Sequence, residues 1–260
     1  MCNGDDPIDM RGITAWLATR MRLVGIIEVH ESPWRLVKKT RREIRRVGFW
    51  RFLDVLAFRI YYRLKFAQRD ARWSKTEIAR LRQRYNGHPE AAATLVTRNP
   101  NSSEIEEFLN QLQPDLMVIR SKHLLNANIF TIPKHGTYAL HPGICPEYRN
   151  AHGCFWALAN RDLQHVGMTL LQVDSGVDTG PSLLQVSYAF DEINESHRVI
   201  QYRVILENLD RIAECLIDAS TGKFRPLDIS QRQSRTWGQP WLSAYLKWKQ
   251  AARNTSRLCA

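Results

Sequence analysis

The spacing of apolar residues changes period several times along the chain, and each change marks an element. Ile13, Trp16 and Leu17 are spaced for one face of a short helix over residues 8–20. Residues 21–29, MRLVGIIEV, form a near-continuous apolar run, as expected of a strand covered on both sheet faces. Phe49, Phe52, Leu53, Leu56, Ile60 and Leu64 then make an amphipathic helical stripe. A second charged helix is expected over 74–85, closed by Asn86-Gly87 and Pro89. Residues 32–88 thus read as a helical insertion, a hairpin partly off the main body with Phe52, Leu56 and Ile60 facing inward.

Beyond residue 91 strands and helices alternate. Strands are expected at 92–97, 116–119, 136–140, 167–173 and 182–189, and helices at 103–112, 151–160, 194–219 and 241–252. Ser103 and Glu106 give a capping-box pattern at the first of these helices. The pattern predicts an α/β, Rossmann-like fold with a mostly parallel sheet. A main domain over 1–220 is followed by an extension, 221–260, with a terminal helix. In such sheets ligands bind beyond the carboxyl ends of strands. His141 and Asp178 each follow a strand, so both are expected on one rim.

The start of the chain departs from this order. Met1-Cys2-Asn3-Gly4 passes through Asp5-Asp6-Pro7 directly into the helix, leaving only a stub of a first strand. Residues 1–4 are expected against the carboxyl end of strand 21–29 with a gap below them. The expectation is that the natural start lies upstream or that the sheet is weakened.

Composition adds two facts. The five cysteines are scattered and include no CxxC, which argues for reduced thiols and a cytoplasmic setting. The net charge of +11 is concentrated: residues 35–84 hold 17 Lys and Arg against four acids, a net +13, so the remainder is at −2. That segment could meet nucleic acid through phosphate contacts or an anionic membrane through its arginines, Trp34, Phe49 and Trp50. The reading kept is a solvated face of a docked helical insertion, with neither partner favoured. His141, Cys145, His152 and Cys154 lie close together, but without a CxxC or HxxxH pair no metal is expected.

The stretch from Gly136 to Gln185 carries the chemistry. His141-Pro142-Gly143-Ile144-Cys145-Pro146 is followed by Tyr148-Arg149-Asn150, and Gly167-Met168-Thr169 leads through Asp174 to Val177-Asp178-Thr179-Gly180. This arrangement, with His141 and Asp178 37 positions apart, resembles the folate-dependent formyltransferase superfamily. The resemblance implies 10-formyltetrahydrofolate as formyl donor, no metal, and a small-molecule amine as acceptor. It implies that His141 stabilises the developing oxyanion and that Asp178 holds the imidazole or takes the amine proton. It also implies a folate pocket built from Lys122, His123, Leu124 and Leu125 and from Val173, Asp174, Ser175, Gly176 and Val177.

One position departs from the family. The Asn two residues before the histidine is Ala139 here, and loss of one oxyanion donor costs about 2.7–4 kcal/mol. Asn150 and His152, on the loop at the mouth of the following helix, are the candidate replacements, and Asn150 is expected to project its amide between His141 and Asp178. A weakened relative that binds folate or presents a basic surface is the second reading. The acidic Asn3-Gly4-Asp5-Asp6 segment disfavours a phosphorylated purine precursor as acceptor. The roughly forty residues after Leu216 are fewer than the tRNA-binding barrel of methionyl-tRNA formyltransferases requires.

Overall fold

The computed structural model describes residues 1–31 and 33–258. Ser32, at the head of the basic insertion, and Cys259 and Ala260, at the end of the extension, lie outside them. The sheet is α/β and mostly parallel, in two hydrogen-bonded parts. The stub β1 (Cys2–Asn3), β2 (Gly25–Val29) and β3 (Ala93–Thr97) are parallel in the order β1-β2-β3. The second part runs β4 (Met117–Ile119), β5 (Thr137–His141), β6 (Met168–Gln172) and β7 (Ser182–Val186); β4 and β5 are parallel, β6 and β7 antiparallel to their neighbours.

The parts join at the stub. Cys2 bridges to Arg120, the Arg120 N–H donates to the Met1 carbonyl at 3.0 Å, and the Met1 ammonium donates to Val118 at 2.8 Å. On its other side β1 pairs only with Glu28 and Val29, the carboxyl end of β2. Below it lies a cavity of about 30 Å³ lined by Met1, Gly25, Ile26, Val118 and Leu140 among others, at the place where a gap was expected beneath so short a first strand. Beside the cavity Asp9 is buried against Arg120, Nε to Oδ1 2.6 Å.

Side chains alternate across the sheet and feed two cores. Tyr138, Leu140, Met168 and Leu170 enter the larger, which also contains residues of the π-helical turn Asp9–Ile13 and of α1 (Thr14–Arg20). Ile27, Val29, Met117 and Ile119 enter the smaller, covered by α5 (Ser103–Leu112) and α6 (Ala127–Phe130). α7 (Gly153–Ala159) is buried almost throughout. The single long helix expected over 194–219 is two, α8 (His197–Leu206) and α9 (Leu209–Ser220). The break follows from Asn208, whose buried amide donates to the carbonyls of Val204 and Ser187. Residues 221–241 form an irregular strap leading into α10 (Leu242–Leu258), whose Tyr245 and Trp248 are buried in the larger core.

The basic segment is three helices rather than a hairpin: α2 (Pro33–Val47), α3 (Phe49–Lys65) and α4 (Ala67–Arg84). It is also docked more deeply than expected. Leu81 of α4 is fully buried against Gly12, and Phe58 of α3 packs on Phe155, His197 and Tyr245. The inward face of α3 is Val55 and Phe58, whereas Leu56 and Ile60 point to solvent. The helix is apolar on two sides, and periodicity alone selects the wrong one.

Candidate active site

His141 ends β5 with its ring buried. Its Nε2–H donates to the Tyr148 carbonyl at 2.9 Å, which fixes the ring and turns Nδ1 toward Asp178. That contact requires close backbone approach. A Cβ on Gly143 would come within 2.5 Å of the Tyr148 carbonyl and 2.8 Å of the His141 Nε2, and a Cβ on Gly153 would also meet that carbonyl at 2.5 Å. The loop between is pinned by Thr169, whose hydroxyl donates to Gly143 at 2.7 Å and accepts from the Cys145 N–H at 3.0 Å.

Asp178 arrives by another route than expected. β6 is antiparallel to β5, so Val173 lies beside Thr137, at the far end of β5 from His141. The loop 174–180 must fold back along the sheet, and Asp174 holds it by accepting from the Gly176 N–H at 3.0 Å and the Thr179 hydroxyl at 2.7 Å. Asp178 sits at φ +51°, in the left-handed region that Asp tolerates. Its Oδ2 lies 3.4 Å from His141 Nδ1 and accepts the Asn150 N–H at 2.7 Å.

Burial is the largest single influence on His141 and opposes its charge, but the Asp178 carboxylate, Cys145 and the Tyr148 carbonyl together outweigh it, and the imidazole is pushed up to about 10. A 3.4 Å separation is longer than a good N–H···O bond of about 2.7–3.2 Å. The Nδ1 proton is therefore the one on this ring that an incoming oxygen can share.

Asn150 does not present its amide to this space. Its Nδ2 donates to the Trp237 carbonyl at 2.6 Å and its Oδ1 accepts the Ala151 N–H at 2.8 Å. With φ +77° it turns its backbone N–H, not its side chain, toward Asp178. Ala139 lies two residues before His141 on the same face of β5, without a donor of its own.

The remaining expected residues fall on either side of β5. Lys122 and His123 follow β4 and line a cleft of about 10 Å³ with Ser121, Asn3, Val29 and Glu31. Leu124 is exposed, its carbonyl accepting from Asn101, and Leu125 is buried in the smaller core. Val173, Asp174, Ser175, Gly176 and Val177 lie on the β6 side, where the Val177 carbonyl accepts from Arg149 at 3.3 Å.

The strap was not anticipated. Trp237 is sandwiched between Tyr148, with centroids 5.7 Å apart, and Trp156, at 4.9 Å. Its Nε1 donates to the Glu147 carbonyl, and Thr236 bridges to Arg149. Arg232 grips the Glu147 carboxylate through Nε at 2.7 Å and Nη2 at 2.6 Å. The segment has no periodicity to reveal it; its density of tryptophan beside proline was the one available signal.

The structure thus brings a buried imidazole and a partly exposed carboxylate together at the His141 end of β5. The Formyl transferase family model matches residues 73–212, over half of the chain, and the chain belongs to that family. Methionyl-tRNA formyltransferase of Thermodesulfovibrio yellowstonii is 33% identical over 116 residues, 42% of this chain and 37% of that protein. The same enzyme of Pelobacter propionicus is 31% identical over 126 residues, 48% and 39% of the two chains. The matches thus span about two-fifths of those relatives' length. The phosphoribosylglycinamide formyltransferase of Anaplasma phagocytophilum superposes with a TM-score of 0.53 at 13% identity over 92% of this chain and 96% of that one, a likeness of fold.

Proposed function

We propose that this protein is an N-formyltransferase, moving a formyl group from 10-formyltetrahydrofolate to the amine of a small molecule. The observation that carries the reading is the buried His141 with Nδ1 3.4 Å from Asp178. In it, Nδ1–H donates to the formyl oxygen as the amine attacks the formyl carbon, the Asp178 carboxylate takes the proton that the amine loses, and that proton passes to N10 as the C–N10 bond breaks and tetrahydrofolate leaves. The reduced folate supplies the activated formyl group. Lys122, His123, Leu124 and Leu125 on one side and Val173, Asp174, Ser175, Gly176 and Val177 on the other would hold it, with main-chain groups reading the pterin edge. The four free cysteines among the described residues support a cytoplasmic setting.

The acceptor is read as lacking a phosphate at the start of the sheet. Asp5 is paired with His30 at 2.9 Å, and Asp6 accepts the Ile8 N–H at 3.1 Å and the Tyr202 hydroxyl. Both carboxylates are structural, and they leave an acidic loop there.

The test is consumption of 10-formyltetrahydrofolate with a panel of amines that includes amino-sugar nucleotides, glycinamide ribonucleotide and methionyl-tRNA. Turnover with a small amine, lost in His141→Asn and Asp178→Asn, supports the proposal; turnover with methionyl-tRNA alone refutes the acceptor class. A second reading is favoured by Ala139 together with the commitment of the Asn150 amide to Trp237: a folate-binding relative with little turnover. Calorimetric binding of a stable folate analogue without formyl transfer to any amine would establish it.

A further inference from the structure

α3 has two apolar faces, and one is uncovered. Opposite Val55 and Phe58, the residues Phe49, Leu53, Leu56, Ile60 and Leu64 fall at i, i+4, i+7, i+11 and i+15, a stripe along the whole helix. Phe49 is 58% exposed, Ile60 54% and Leu64 77%, and Trp50 beside them 82%. Single exposed apolar side chains are ordinary, but a continuous row marks a contact surface.

The charge around the row selects the occupant. Residues 40–65 hold eight Arg and Lys against Glu43 and Asp54. Both acids are committed, Glu43 to Arg46 at 2.6 Å and Asp54 to the N–H and hydroxyl of Ser243. Arg59 and Arg63 border the stripe, and Arg41, Arg42 and Arg45 of α2 are exposed. A second copy of this face would set arginines against arginines. A nucleic acid would meet the arginines and leave Leu56, Ile60 and Leu64 in water. A surface with anionic headgroups above an apolar interior satisfies both sets at once.

We propose that α3 docks this protein on an anionic lipid bilayer, lying in the plane of the surface. Phe49, Leu53, Leu56, Ile60 and Leu64 enter the acyl boundary, and Arg59 and Arg63 sit at the level of the lipid phosphates. The 17-residue helix offers about 25 Å of contact. Among the described residues no helix is long and apolar enough to cross the membrane, and the docking needs none.

The test is flotation of the full chain with vesicles of phosphatidylcholine alone or mixed equally with phosphatidylglycerol. Binding is expected to the anionic vesicles only and to weaken as ionic strength rises. Leu56→Glu/Ile60→Glu should lower partitioning on the order of tenfold or more. Arg59→Gln and Arg63→Gln should each lower it roughly fivefold. Thermal unfolding checks that the variants are folded, and Leu64→Gln, at the most exposed position of the stripe, serves if the double variant is not. Failure of the wild type to float with anionic vesicles overturns the proposal, as does flotation unchanged in folded stripe variants. So does a wild-type dimer in light scattering that Leu64→Gln makes monomeric, or RNA binding in place of vesicle binding.

Discussion

Burial desolvates the imidazole of His141, and the charge of Asp178, together with Cys145 and the Tyr148 carbonyl, offsets this and raises its pKa to about 10. Its folded pKa lies above the ordinary value of about 6.5, so this pairing stabilises the protein fully below that pH and is lost as pH rises toward 10. We expect the urea midpoint of wild type to exceed that of Asp178→Asn most clearly near pH 6 and the gap to close by about pH 10. A gap constant across that window would show that Asp178 acts through its Asn150 contact alone. At position 139 an asparagine would restore a donor on the His141 face. Since one such donor is worth about 2.7–4 kcal/mol, Ala139→Asn should raise kcat by on the order of tenfold or more. An unchanged kcat in a folded variant would mean that another group already fills the role. That His141 and Asp178 lie side by side was legible from their strand context and the family resemblance of their motifs. The Tyr148 carbonyl that selects the working nitrogen was not, because a backbone acceptor leaves no signature in side-chain identity.

The inner and outer faces of α3 give the sharpest test among the elements. Phe58 is buried among aromatic rings, so Phe58→Ala should cost about 3–5 kcal/mol, whereas Ile60→Ala should stay within about 0.5 kcal/mol. Equal costs in urea unfolding would contradict the orientation. The strap makes a different demand. Trp237→Ala removes a ring held by Tyr148, Trp156 and the Glu147 carbonyl, and should cost about 1–3 kcal/mol. It should lower kcat as well, since the loop it braces carries the Asn150 N–H to Asp178. A stability loss with kcat intact would separate strap from site. The strands of the second half were readable because runs such as Thr137–His141 are buried on both faces. The direction of β6 was not, because apolar alternation is the same read either way along a strand. The break at Asn208 was missed for a similar reason: a helix period continues across one polar residue whose amide happens to find two carbonyls.

At the scale of the whole molecule, the two parts of the sheet are joined by a two-residue strand, by the packing around Asp9 and Arg120, and by the smaller core that Ile27, Val29, Met117 and Ile119 share. Arg120→Met would leave the Asp9 carboxyl buried without its partner, and should cost about 3–5 kcal/mol in unfolding free energy. The acidic opening of the chain made a short first strand visible in the sequence. The cavity beneath it and the single bridge beside it depend on how distant strands meet, which no local pattern records. That bridge also sets how the molecule comes apart. A sheet stitched across its middle at one point has a seam, and opening along the seam breaks few hydrogen bonds while leaving β4 to β7 and their helices intact. Amide hydrogen exchange should therefore release Arg120, whose N–H donates across the seam to Met1, at a lower opening free energy than the amides of β5 and β6. The partner strands of His141 stay closed during such excursions, so the half of the protein that carries the chemistry should outlast the half that completes the sheet.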